Sequence, residues 1–107
     1  MPPVAFSSLC CAREFRKTEK YRAFLKTYRT AREWVQSAPA EEVARKEAGF
    51  FPLVPAGLLD DAVHRYQALG CWEGSIEIAR DLYEQALNVF QSAGEIGWRH
   101  GYEEVVG

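Results

Sequence analysis

Eight cations crowd into residues 13–32: Arg13, Arg16, Lys17, Lys20, Arg22, Lys26, Arg29 and Arg32. Only Glu14 and Glu19 oppose them, so this stretch is net +6 while the rest of the chain is net −8. A basic helix face of this kind can meet phosphate or an acidic partner. It can also be a solvated face balanced by acidic neighbours in the fold, and that is the expectation here. A nucleic-acid surface wants exposed aromatics between its charges, whereas Tyr21, Phe24 and Tyr28 fall on an apolar stripe. No nucleic-acid binding is therefore expected.

The other reactive residue types are sparse. Cys10, Cys11 and Cys71 form no CxxC, and no further Cys or His pair stands at a zinc spacing. They are expected to be buried, reduced thiols packing as small hydrophobes. A catalytic thiol needs a His or basic neighbour to depress its pKa, and the spacing of His64 and His100 places neither near a cysteine. Asp60-Asp61 and Glu41-Glu42 suit the first turns of helices, where acids complement the helix dipole. No further oxygen ligands follow at the spacing of a cation loop. Glu103-Glu104 reads as solvated. His64 reads as an edge residue of a helix, and His100 lies in a glycine-containing tail. Gly-rich phosphate loops, GxSxG and HExxH are absent. The sequence thus yields no catalytic, cofactor-binding or metal-binding residue, and no enzyme is expected. Trp34, Trp72 and Trp98 are the remaining ligand candidates. Packing between helices is the expected role, with Trp72 covering the end of a helix and Trp98 the most exposed.

The elements that carry these residues read as mainly helical. Val4 to Cys11 is apolar, follows two prolines and reads as a short strand. Arg13 to Phe15 reads as a separate short turn. A long helix is predicted from Thr18, its N-cap, to Ser37, with Tyr21, Phe24, Leu25, Tyr28, Ala31 and Val35 on one stripe. Pro39 ends it and opens a short second helix with Val43, Ala44 and Ala48 inward and Gly49 as a left-handed cap. Phe50-Phe51-Pro52 reads as an apolar linker. A third helix is predicted from Pro55 to Gly70, with Leu58, Leu59, Ala62, Val63 and Tyr66 inward and Leu69 closing it. Ser75 is expected to cap a fourth helix that runs to Ala93 and ends at Gly94, burying Ile78, Ala79, Leu82, Tyr83, Ala86, Val89, Phe90 and Ala93. The tail reads as irregular, with Tyr102, Val105 and Val106 tucked against the body.

The chain has 107 residues, 48% of them hydrophobic and 26% charged, with a net charge of −2 and a sequence pI near 5.7. These are globular values for one domain, and they exclude disordered and fibrous classes. No apolar run approaches a membrane span. The N-terminal MPPVAFSSLCCAREF has no basic region before its apolar part, so no secretory signal is expected. That points to a cytoplasmic chain as it stands.

Two stretches, AREFRKTEKYRAFLKTYRTAREWVQSAPAEEVA and LLDDAVHRYQALGCWEGSIEIARDLYEQALNVFQSAGEIGWRHGYEEVV, resemble a known family. They are similar to the C-terminal part of solute-binding proteins of bacterial ABC importers, in the nitrate, taurine, sulfonate and thiamine-precursor group. The resemblance rests on Arg13-Glu14-Phe15, Arg22 to Leu25, Ala31 and Trp34, Gly70 and Trp72, Phe90, Ala93-Gly94, and Tyr102 to Val106, in that order. It implies the helical C-terminal portion of a type II periplasmic binding protein lobe, working in transport in a periplasmic or extracytoplasmic setting. In that family the ligand is clamped between two α/β lobes. Most of both lobes has no counterpart in this chain, so a small organic or anionic solute is expected to bind only with the missing lobes. No position here matches a ligand-binding residue. The alternative is a stand-alone helical oligomerisation or protein-interaction module. Apolar residues around Phe6, Leu9, Phe50, Phe51 and Leu53, left without a sheet, lead us to expect a homodimer.

Overall fold

A computed structural model describes residues 8–106. The described residues are helical with irregular connections and no strand. Five α-helices follow in order: α1 (Glu19–Ser37), α2 (Ala40–Glu47), α3 (Ala56–Ala68), α4 (Arg80–Ser92) and α5 (Tyr102–Val105). Short 3-10 turns at Arg13–Lys17 and Ala48–Phe50 precede α1 and follow α2. They fall into two compact units, residues 12–74 and residues 75–106 with 8–11.

In the unit 12–74, α1 starts where expected. Thr18 Oγ1 accepts the Tyr21 N–H at 3.2 Å and its own hydroxyl donates to the Phe15 carbonyl at 2.7 Å. One side chain thus satisfies an orphan amide of α1 and closes the preceding turn. Ala38 is extended (φ −71, ψ 155), the conformation that a following proline imposes, and α1 stops there. Pro39 serves as the N-cap of α2, with Glu41 and Glu42 in the first turn and Arg45 and Lys46 in the last, each sign at the end of the helix dipole that favours it. The core of the unit lies between α2 and α3: Val43, Ala44, Leu59 and Val63 are buried, and Trp34, Val35, Ala38, Ala40 and Trp72 pack around them.

α3 ends in a Schellman motif. The Gly70 N–H donates to the Gln67 carbonyl and the Cys71 N–H to the Tyr66 carbonyl, at 3.0 and 3.1 Å. Gly70 takes φ +68, the left-handed conformation that favours glycine, and a Cβ there would lie 2.9 Å from the Glu73 carboxylate, which would have to shift. The reversal sends Trp72 back onto Tyr66, rings edge to face at 5.7 Å, where it covers the end of α3 as expected.

In the unit 75–106, α4 ends with the same geometry at Gly94 (φ +76), whose N–H donates to the Gln91 carbonyl while the Glu95 N–H donates to that of Phe90. α5 is clasped to α4 and its approach. Tyr102 stacks edge to face on Tyr83 at 5.6 Å and donates its hydroxyl to the Ile78 carbonyl, while Tyr83 donates to the His100 carbonyl at 2.9 Å. Arg80 pairs with Glu103 and lies over the Tyr102 ring at 4.6 Å. Arg99 bonds Glu84 and Asn88. Among the described residues of this unit, Ala86 is buried.

Several expectations need correction. The strand expected over Val4 to Cys11 lies partly outside the described residues, and its described part, 8–11, is irregular. α4 begins at Arg80, five residues after Ser75. Ser75 Oγ takes the Glu77 N–H at 3.0 Å in a local turn, a bond that competes with helix, and the β-branched Ile76 and Ile78 add little helical preference. Ile78 and Ala79 therefore precede the helix. Gly49 has no left-handed conformation; α2 tightens into the 3-10 turn Ala48–Phe50 instead of reversing. The tail includes the one-turn α5, whose Glu104 carboxylate accepts the Gly101 N–H at 2.9 Å, one arm of a capping box. Val105 stays exposed, and Tyr102 does the tucking.

The stripes are also less buried than periodicity implies. Phe24, Ala31, Ala48, Leu58, Tyr66, Leu69, Ala79, Val89, Phe90 and Ala93 are exposed. Cys10, Cys11 and Cys71 are exposed free thiols, not buried ones. For Cys71 the cause is the Schellman reversal, which turns Trp72 inward at the next position.

Candidate functional site

The α2–α3 hairpin presents the most distinctive surface of the unit 12–74. Its two helices bury one residue pair each and leave the connection between them bare. Phe50 is 82% exposed and Leu53 94%, with Phe51, Val54 and Leu58 beside them in sequence and also exposed. Pro52 and Pro55 keep this segment out of regular helix, and turns at Phe51 and Val54, whose N–H groups donate to Ala48 and Phe51 carbonyls, fold it tightly. Chain connectivity therefore holds large apolar side chains where the two helices cannot reach to cover them.

Between the outer edges of α2 and α3 lies a depression of about 340 Å3, open to solvent. Ala44, Ala48, Ala56 and Gly57 make its walls. Their small side chains let α2 and α3 approach without filling the space between their outer edges. Glu41, Arg45 and Asp60 stand around it. The lining is apolar, with charges of both signs on the rim.

A polar clamp fixes α1 to this hairpin. Gln67 Nε2 donates to the Val35 and Ala38 carbonyls at 2.7 and 2.8 Å, satisfying the C-terminal end of α1. Gln36 Nε2 donates back to the Gln67 carbonyl at 3.0 Å, and Gln36 Oε1 is buried without a partner among the described residues. Arg32 donates to the Trp72 and Glu73 carbonyls at 3.3 and 3.0 Å, holding the turn after α3. Gln36 and Gln67 carry no motif in the sequence; the one signal is that Gln67 follows Leu59 and Val63 at i+4 spacing, a polar residue on the buried stripe of α3.

The other sequence candidates are dispersed. Arg22, Lys26 and Arg29 are exposed on α1 and have no ion-pair partner among the described residues, while Lys17 pairs with Glu14 at 3.0 Å. Phe24 and Tyr28 stack on each other along that helix at 6.0 Å. Asp60-Asp61 and Glu41-Glu42 occupy the early turns of α3 and α2, as expected. His64 is exposed on α3; His100 lies against Trp98, ring centroids 4.4 Å apart, with its Nδ1 3.5 Å from Glu104. Trp34 and Trp72 pack on the core, and Trp98 is exposed. Among the described residues no three His, Cys, Asp or Glu side chains come together as a metal site, and no helix is long and apolar enough to cross a membrane.

The chain matches no protein-family model, no curated protein and no solved structure.

Proposed function

We propose that this chain is the helical C-terminal part, or a truncated relative, of the solute-binding protein of an ABC importer, with a packing rather than a catalytic role. The observation that carries the reading is the bare connection of the α2–α3 hairpin. Four buried residues make a thin core for a 63-residue unit, and Phe50, Phe51, Leu53 and Leu58 stand uncovered beside it. That is the surface expected of a piece whose remaining cover comes from another body, here the α/β lobes. Of the motifs in the resemblance, Gly70 and Gly94 are left-handed caps, Arg13–Phe15 lies in a 3-10 turn and Tyr102–Val105 forms α5, while Arg22–Leu25, Ala31 and Trp34 lie within α1 and Phe90 within α4. The solute, a small organic or anionic molecule, belongs to the cleft between those lobes.

Co-expression tests this. The lobes of a nitrate-, taurine- or sulfonate-type binding protein, truncated before its C-terminal helices, are produced with this chain. Co-purification in equal amounts, with a solute-dependent rise in melting temperature, is the expected result. Lobes that purify without the chain would overturn the reading. The second reading, a self-associating helical module, is favoured by the exposed apolar side chains of Phe50, Phe51, Leu53 and Leu58.

A further inference from the structure

We propose that the exposed side of α1 is the docking site for an acidic amphipathic helix of a partner protein. The solute-binding reading rests on the α2–α3 connection, so this inference stands apart from it. Three observations carry it. First, a row of cations lacks counter-charge. Arg22, Lys26 and Arg29 stand at i, i+4 and i+7, one stripe that rises about 10 Å along the helix at 1.5 Å per residue. All three are exposed and have no ion-pair partner among the described residues. The acids nearest in sequence do not balance them. Glu14 pairs with Lys17, and Glu19 and Glu33 lie beyond the two ends of the row. Carboxylates at i, i+4 and i+7 of a second helix repeat the same rise and match the row charge for charge.

Second, the stripe beside the cations is built for close approach. A helix turns about 100° per residue, so Ala23, Thr27 and Thr30 form the next row round, and all three are exposed. The Thr27 and Thr30 hydroxyls donate to the Ala23 and Lys26 carbonyls at 3.0 and 3.1 Å. Their protons are spent inside α1, and the row presents short side chains with no free donor for a phosphate. Short side chains let a second helix axis settle near the lower end of the usual separation of about 8–10 Å. Beyond this row, on the side away from the cations, Phe24 is 50% exposed and Ala31 is exposed. A helix laid along Ala23, Thr27 and Thr30 therefore meets cations on one edge and an aromatic ring on the other. Its matching chemistry is carboxylates along one edge and apolar side chains along the opposite one.

Third, the basic field is bounded. Outside residues 13–32 the chain is net −8, and Glu19 and Glu33 bracket the row itself. Charges act over about 8 Å at physiological ionic strength, close to the length of the row. A duplex or an anionic bilayer runs on past it and meets like charge. A helix with an acidic edge of two turns ends where the cations end.

The test uses the full chain, under a reducing agent so that Cys10, Cys11 and Cys71 form no links between copies. The probe is a labelled, Ala-rich synthetic peptide of about 18 residues, long enough to hold a helix. It carries Glu at i, i+4 and i+7 and Leu two positions after each Glu. Fluorescence anisotropy is followed from about 1 to 200 µM chain, a range that resolves micromolar dissociation constants. The expected result is saturable binding that weakens at least about tenfold between about 0.05 and 0.5 M salt. A peptide of the same composition with its Glu residues scattered round the helix should bind at least about tenfold more weakly. Arg22→Gln, Lys26→Gln and Arg29→Gln combined should raise the dissociation constant by at least the same factor. Ala23→Trp, which fills the row of short side chains, should do likewise with the helical circular dichroism unchanged, because the position is exposed. Lys46→Gln, exposed on α2, should leave binding as it was. No saturation by 200 µM overturns the proposal, as does equal binding of the two peptides or indifference to the α1 variants. Tighter binding of a 20-base-pair DNA duplex or of phosphatidylserine vesicles overturns it too. Co-purification with the lobes is a separate readout, so this inference and the solute-binding reading can each fail alone.

Discussion

Gln67 shows how much a single polar side chain can decide at the edge of a small core. Its amide serves the Val35 and Ala38 carbonyls at the end of α1, and both bonds cross between helices. Replacing Gln67 by Leu keeps the bulk and removes both donors. We expect a loss of about 1–3 kcal/mol, since half-buried carbonyls lose their partners, read as a lower urea midpoint. Gly70 makes a second case. Its φ of +68 is tolerable only to glycine without cost, and a left-handed conformation costs other residues about 1–2 kcal/mol. Gly70→Ala should cost that amount and a little more, because Glu73 must also move. Gly94→Ala has a similar left-handed backbone and open space around it, so it should cost the backbone strain without a side-chain shift. Both are read by chemical denaturation.

Among the elements, α1 and α4 begin by different logic. α1 has a side-chain cap in Thr18, and Thr18→Ala should cost about 1 kcal/mol, with a drop in helical circular dichroism if the first turns fray. α4 has none: Ala79 stands at its N-cap position, and Ser75, the residue that looks like a cap, is spent on a local turn. A cap is recognisable in sequence only as a residue type. Which amide it takes depends on whether the next residues turn helical, and Ile76 and Ile78 tip that choice. The glycines were more legible. Gly70 and Gly94 close α3 and α4 where expected, because a left-handed residue after an apolar run has few other uses. Gly49 resembled them and does not act so, since the chain goes on into a 3-10 turn.

For the molecule as a whole, the thin core sets the stability. A unit of this size seldom holds more than about 3–5 kcal/mol from one core. Val43 is fully buried, and Val43→Ala removes two methyl groups and leaves a void, worth about 2 kcal/mol. The variant should therefore lose a large share of the stability of the unit 12–74, seen as a urea midpoint well below the parent's. The same substitution at exposed Val54 should change little unless a second body covers it.

Helix identity, and most helix ends, were determined by the sequence itself, through proline, glycine and a Thr cap acting over three or four residues. The core residues were too: Leu59 and Val63 stand at helical i, i+4 spacing, and Val43 and Ala44 are adjacent on the inner side of α2. Tertiary structure alone decided which members of each stripe find cover. Leu58 and Leu59 are adjacent and chemically alike, yet Leu59 is buried and Leu58 is 61% exposed. Periodicity marks a face but not the presence of a neighbour opposite it. The clamp of Gln67 on α1 and the depression between α2 and α3 arise from contacts between segments some thirty residues apart or from the space that short side chains leave, and neither has a local signature along the chain.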